Sequence, residues 1–141
     1  MNKHYAIIAG YASTYNNIDI SNHIVKQQAI NCSSFPDRVP ILFQHDFKRP
    51  LGILLNAKSD HYGLYIEACF DIDNPLQKEV YNLIKDYKVR GISVGLEVLE
   101  SQYKKGILII KNAKLVEISL TANPINEFCK IEFCESFQLG G

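Results

Sequence analysis

Hydrophobic positions along this 141-residue chain fall mostly into short runs. Residues 4 to 12, HYAIIAGYA, are rich in aromatic and β-branched types and predict a strand, with Gly10 marking a bulge or a point of close packing. Ser13 to Asp19 is polar and reads as the loop that follows. Val39 to Gln44, Leu51 to Lys58 and Tyr62 to Phe70 form three further apolar runs, punctuated by Pro50 and by Asp60-His61-Tyr62-Gly63. That is the pattern of antiparallel strands with tight connections.

The period changes over residues 75 to 90, where Leu76, Val80, Leu83, Ile84 and Tyr87 recur at helical spacing. Asn74 suits the N-cap, Pro75 the first helical position and Gln77 the third position after the cap, while Gly91 reads as a stop. Beyond Gly91 the period is two: Ile92, Val94, Leu96 and Val98 alternate with Ser93, Gly95 and Glu97, which predicts a strand with one buried face. Lys105 to Lys111 and Lys114 to Thr121 predict two more, the second ended by Asn123-Pro124. Residues 125 to 141 show no pattern that assigns them to an element. Many short strands and one marked helix imply a mainly antiparallel sheet, curled or closed, with helical cover rather than a βαβ array.

Composition narrows the classes. The length fits one domain with a single core. Hydrophobic residues at 47% and charged residues at 21% are ordinary for a folded globular chain. Fifteen basic residues balance fifteen acidic ones, so no net field draws in nucleic acid or anionic lipid. The apolar run Ala6 to Ala9 is too brief for a signal-peptide core or a membrane span, which leads us to expect a soluble intracellular protein. Cys32, Cys69, Cys129 and Cys134 contain no CxxC pair and are expected to stay reduced. Cys129 and Cys134 with a histidine form a weak zinc candidate whose spacing matches no common ligand pattern.

Three residues invite chemistry. Ser93 follows the helix stop on a strand whose Ile92 and Val94 point the other way, with Gly91 and Gly95 leaving room for a carbonyl and for backbone amides near an oxyanion. By itself such a serine is ordinarily a solvated residue. His45 ends the run Val39-Pro40-Ile41-Leu42-Phe43-Gln44, where a strand meets a loop, and an imidazole with an ordinary pKa of about 6.5 suits a general base. His4, His23 and His61 lie in the N-terminal, polar and turn segments expected of surface histidines. Glu117 shares a strand face with Ser119 and Thr121, opposite Val116, Ile118 and Leu120, and is not forced into the core. Pattern alone favours a surface glutamate paired with a lysine such as Lys114 over a carboxylate that orients a histidine.

Four ordered segments change that balance: Gly10-Tyr11-Ala12-Ser13-Thr14-Tyr15, Val39 to Asp46, Gly91 to Leu96, and Leu115 to Pro124. The second ends in Gln44-His45-Asp46 and is followed by Pro50-Leu51-Gly52. The third is Gly91-Ile92-Ser93-Val94-Gly95, and the fourth is Glu117-Ile118-Ser119-Leu120-Thr121 leading to Pro124. Together with His61 to Glu67 and Tyr81 to Lys85, they resemble the prohead maturation protease family of tailed phages and related prophages. No single motif is decisive, but the ordered set is specific and covers the chain to about Pro124. The chain departs from the family pattern at Asn22-His23 and Gln28-Ala29-Ile30, where members often carry an acidic residue and Gly-Ala-Phe. It also ends soon after Cys134, so scaffolding is expected to be encoded separately or the tail to be processed.

The resemblance implies a serine endopeptidase domain over residues 1–141, its core at about 3–124 and its tail at 125–141. The implied fold is mainly β (α+β), similar to the herpesvirus assembly proteases: an antiparallel β-barrel surrounded by helices. It further implies Ser93 as nucleophile, His45 as general base and Glu117 as the third member, with Asp46 or His61 as alternatives for that last role. No metal or organic cofactor is expected. Implied substrates are scaffold and major capsid protein segments and the protease itself, inside an immature procapsid in the host cytoplasm. Implied association is a homodimer or higher homo-oligomer, with no nucleic acid and no membrane as partner. The rival reading is a catalytically idle barrel of the same descent that binds scaffold or aids capsid assembly.

Overall fold

The computed structural model describes residues 2–31 and 39–140. Cys32 lies outside the described residues. The strands are β1 (Lys3–Thr14), β2 (His23–Val25), β3 (Ile41–Phe43), β4 (Asp46–Pro50), β5 (Ile53–Ser59), β6 (Gly63–Asp71), β7 (Gly91–Lys104), β8 (Ile107–Thr121) and β9 (Ile131–Leu139); helix α1 is Pro75–Lys85. One sheet has the order β5-β6-β1-β9. The second runs β2-β8-β3-β4, with β7 on β8 as well. Pairing is antiparallel except that β2 and β3 run parallel to β8. The architecture is therefore mainly β, as expected, but the two sheets do not close into a barrel, and α1 is the one α-helix among the described residues.

The period-two pattern of β6 shows what joins the layers. Leu64, Ile66, Ala68 and Phe70 are fully buried, whereas Tyr65, Glu67 and Cys69 between them are partly exposed. These inward residues pack with Ala6 and Ile8 of β1, Val80 and Ile84 of α1, and Ile92, Ile118 and Leu120 of the second sheet. Each large apolar side chain removed from water contributes roughly 1.5–3 kcal/mol. Gly10 combines both roles foreseen for it: the β1–β9 register shifts at Ala9/Gly10, and a Cβ there would run into the Lys130 carbonyl.

Several boundaries differ from the sequence expectation for local reasons. The helix ends at Lys85 with Asp86 as C-cap, and Gly91 opens β7 instead of stopping the helix. The Asn74 cap forms, its side chain accepting from Gln77 N at 3.1 Å. The Gln77 side chain accepts from Asp71 N at 2.7 Å, tying the helix to the end of β6. The two strands expected over 105–111 and 114–121 are one continuous strand, β8, joined to β7 by Lys105-Gly106, both at positive φ as a two-residue type I′ hairpin requires. Residues 131–139 form an edge strand on β1, where Tyr5 and Phe137 stack at 5.7 Å.

Candidate active site

β8 organises the site. Its Glu117, Ser119 and Thr121 are all buried, and so are Ile118 and Leu120. The strand is thus covered on both sides over this stretch, and Glu117 is not the solvent-facing residue its alternation predicts. A register shift falls beside it: Gly95 pairs with Glu117 and Leu96 with Leu115, which leaves Val116 as the extra residue of a bulge.

His45 reaches Glu117 by way of a strained turn. β3 and β4 form a hairpin in which Phe43 pairs with Asp46, so Gln44 and His45 are its two central residues. Both are left-handed, at φ 54° and 61°. Neither is the Asn or Gly that such a turn favours, and a left-handed non-glycine residue costs about 1–2 kcal/mol. Contacts to β8 and the residue after it hold the turn. Gln44 N donates to Leu120 O at 3.0 Å, and Thr121 Oγ1 donates to the Gln44 side-chain oxygen at 2.6 Å. That same oxygen accepts from Ala122 N at 3.4 Å. His45 N donates to Ser119 Oγ at 2.9 Å.

So held, the ring Nδ1 donates to Oε1 of Glu117 in a short contact. Oε2 of the same carboxylate accepts from Ser119 Oγ at 2.6 Å. A carboxylate only accepts, so Nδ1 carries the proton and Nε2 is left as the basic nitrogen. The histidine side chain is 41% exposed and the glutamate side chain 4%, so a buried carboxylate meets an accessible imidazole, an arrangement that can serve to orient a base.

Ser93 pairs directly with Ser119 across the β7–β8 ladder. Directly opposed residues of an antiparallel pair share a face. Ser93 therefore projects on the face that carries Glu117 and Ser119. It is only 7% exposed, a correction to the open position read from its flanking glycines. Those glycines serve other neighbours. A Cβ on Gly95 would lie 2.6 Å from Glu117 Oε1, and one on Gly91 would lie 2.5 Å from the Pro124 ring. A cavity of about 230 Å³ opens beside Ser93, its lining including Asp19, His23, Ile92, Val94 and Ile125. His23 thus lines the same cavity as the candidate nucleophile, a place that its polar sequence context does not signal. Among the described residues the hydrogen bonds of His45 run to Glu117 and Ser119, and none joins it to Ser93.

The alternatives for the third member lie elsewhere. Asp46 accepts from Lys48 N at 2.9 Å and approaches Arg49 Nε at 3.6 Å. His61 is exposed in the β5–β6 turn of the other sheet. The zinc candidates fare no better. Among the described residues no three His, Cys, Asp or Glu side chains are grouped to hold a metal. Burial pushes the Cys129 thiol up to about 12, which keeps it protonated and unreactive near neutrality.

The residues missed by sequence reasoning are Gln44, Ser119 and Thr121 in their holding roles. Ser119 and Thr121 do share the alternating face of Glu117, the one signal that pointed toward them.

Comparison with known proteins gives the family and the fold. The prohead protease of Escherichia phage T5 is 32% identical over 89 residues, which are 62% of this chain and 41% of that protein. The varicella-zoster virus protease superposes on 94% of this chain and 64% of its own, with a TM-score of 0.56 at 13% identity. KSHV protease, solved with a hexapeptide phosphonate inhibitor, covers 99% of this chain and 66% of its own, with a TM-score of 0.57 at 11% identity. The chain thus spans less than half of the phage relative and about two thirds of these viral proteases. At such identities the viral structures establish the fold, which is herpesvirus-protease-like. The model of the caudovirus prohead serine protease family matches residues 1–139, and the chain belongs to that family.

Proposed function

We propose that this chain is a serine endopeptidase of phage procapsid maturation in which Ser93 is the nucleophile, His45 the general base and Glu117 the residue that orients it. The observation that carries the reading is the buried carboxylate of Glu117 bonded to Nδ1 of an accessible histidine, on the strand that pairs with Ser93. In the first half-reaction His45 Nε2 takes the Ser93 proton as Oγ attacks the scissile carbonyl. The same proton passes to the departing amine as the C–N bond breaks, leaving an acyl-enzyme. Water, deprotonated by His45, then attacks the acyl carbon, and His45 returns that proton to Ser93 Oγ as the ester bond breaks, freeing the acid product. Glu117 holds the tautomer throughout and stabilises the imidazolium as it forms.

The proposed substrates are scaffold and capsid-protein segments and the protease itself, cut inside the procapsid. Peptide hydrolysis is not undone by reassociation, which suits an irreversible step in shell maturation. A twofold homodimer belongs to the same proposal. Activity per protomer that stays constant on dilution through the dissociation range would count against it.

The lack of a hydrogen bond between Ser93 and His45 favours a second reading, an idle two-sheet domain of the same descent that binds scaffold. Catalytic hydrogen bonds are often long before substrate arrives, so the enzyme remains the better account. Co-expression with the cognate capsid and scaffold proteins separates the two. Ser93→Ala is expected to leave both uncut while folding normally; processing at the wild-type rate overturns the assignment.

A further inference from the structure

We infer that Ser119 is a positioning residue of the proposed site, one hydroxyl that fixes both the base and the acid. The inference rests on the protease reading and extends it to a residue with no part in the bond-making steps.

Ser119 Oγ has two partners. As donor it binds Glu117 Oε2 at 2.6 Å, and as acceptor it receives His45 N at 2.9 Å. The first bond occupies one carboxylate oxygen, so that the other is turned to the imidazole. The second holds the backbone of a left-handed residue, φ 61°, at the tip of a two-residue hairpin. The two bonds act together: the distance between the carboxylate and the backbone carrying the ring is set through a single side-chain oxygen. Ser119 is wholly buried, so no water stands ready to replace it in either bond. Leu120 O, Thr121 Oγ1 and Ala122 N secure Gln44, the other central residue of the turn, which leaves Ser119 as the hydroxyl that links His45 to Glu117.

The test uses the full chain and a fluorophosphonate probe, with two readouts. The first is the rate constant for covalent labelling, separated from the probe's dissociation constant. The second is solvent exchange of the His45 Nδ1–H proton in ¹⁵N-histidine-labelled protein. Ser119→Ala is expected to slow labelling about 10- to 100-fold with the probe's affinity unchanged. It should also accelerate exchange of the ring proton. Ser119→Thr, which keeps the hydroxyl, should restore both. Adding Ser119→Ala to Glu117→Ala should cost less than Ser119→Ala does in the wild type, because the acid it positions is gone and only its hold on the His45 backbone remains.

Wild-type labelling and a protected ring proton in folded Ser119→Ala overturn the inference. So does an equal loss of rate in the presence and absence of Glu117. If Ser119→Ala does not fold, Ser119→Cys, a weaker donor of similar size, is read in the same two ways. A wild-type protein that takes no label refutes the protease reading instead, and the ring-proton comparison then decides the role of Ser119 by itself.

Discussion

A glutamate buried on a strand next to two hydroxyls is an expensive placement unless its charge is used. Removing an ionised carboxylate from water costs several kcal/mol, and hydrogen bonds and a cationic partner must offset it. Glu117 has Ser119 on one oxygen and the imidazole on the other, and the second bond grows stronger if the ring becomes charged. That is what an orienting acid requires. Glu117→Gln keeps the shape but removes the charge and lets the wrong tautomer form. It is expected to lower the turnover number by roughly 10⁴, the scale found when the acid of a serine triad becomes an amide. Steady-state hydrolysis at saturating substrate checks this, and a loss under tenfold would remove Glu117 from the mechanism. Sequence pattern did not place this residue: alternation leaves Glu117 facing away from Ile118 and Leu120, and only the second covering layer, the Gln44-His45 turn, buries it. The resemblance to the family is what singles out Glu117 as a third member, where periodicity favours a surface ion pair; in the fold its carboxylate meets the His45 ring.

At the scale of elements, the Gly-x-Ser-x-Gly stretch shows how local pattern and tertiary cause part company. Gly91 and Gly95 look like an allowance for substrate, but their missing side chains make room for Pro124 and for the carboxylate of Glu117. Gly95→Ala would put a methyl group 2.6 Å from Glu117 Oε1, and backbone pairing on both strands leaves the carboxylate as the group that moves. Activity should therefore fall more than tenfold while stability falls by about 1–3 kcal/mol, the usual cost of overpacking. Parallel assays of hydrolysis and urea unfolding compare the two, and unchanged activity would mean that the carboxylate position is not critical. Elements with a strong period were correctly placed, notably β6, the start of α1 and the first half of β7. Those missed are short or half-solvated: β4 falls in the break that Pro50 makes between two apolar runs, and β9 lies at a sheet edge with most of its residues exposed. An edge strand has one neighbour and little apolar burial, so its hydrophobic alternation is faint.

Across the whole molecule, the mainly antiparallel β class follows from the number of short runs and the single helical period. The split into two unclosed sheets does not, because it depends on which strands pair over long separations, such as β1 with β9 and β8 with β3. Period alone says nothing about such partners. One long-range tie is expected to make a measurable difference to global stability. Tyr11 of β1 donates to Asp60 in the β5–β6 turn at 2.6 Å, and the other Asp60 oxygen accepts from Tyr62 N and Gly63 N. The Tyr11 bond, then those to the turn amides, hold the Asp60 carboxyl below its ordinary value of 3.8. A depressed carboxylate lends stability above its unfolded value and loses it as pH falls through the folded one. Asp60→Asn should thus lower stability near neutrality, by less than about 1 kcal/mol because solvent screens this partly exposed carboxylate. The gap from wild type should narrow as pH is lowered below 3.8. Thermal or urea unfolding across that range reads it; a gap that is the same at pH 7 and at acid pH would show that the charge of Asp60 is not involved.

The central claim is that three separated stretches of chain meet so that the His45-Glu117 pair activates the Ser93 hydroxyl. Its most direct test is to treat the purified protein with a fluorophosphonate and locate the adduct by peptide mass spectrometry. The account predicts a single adduct on Ser93, formed at least a hundredfold more slowly in His45→Ala, roughly the contribution of a positioned general base. An adduct on another residue, or labelling of Ser93 at the same rate without His45, would contradict it.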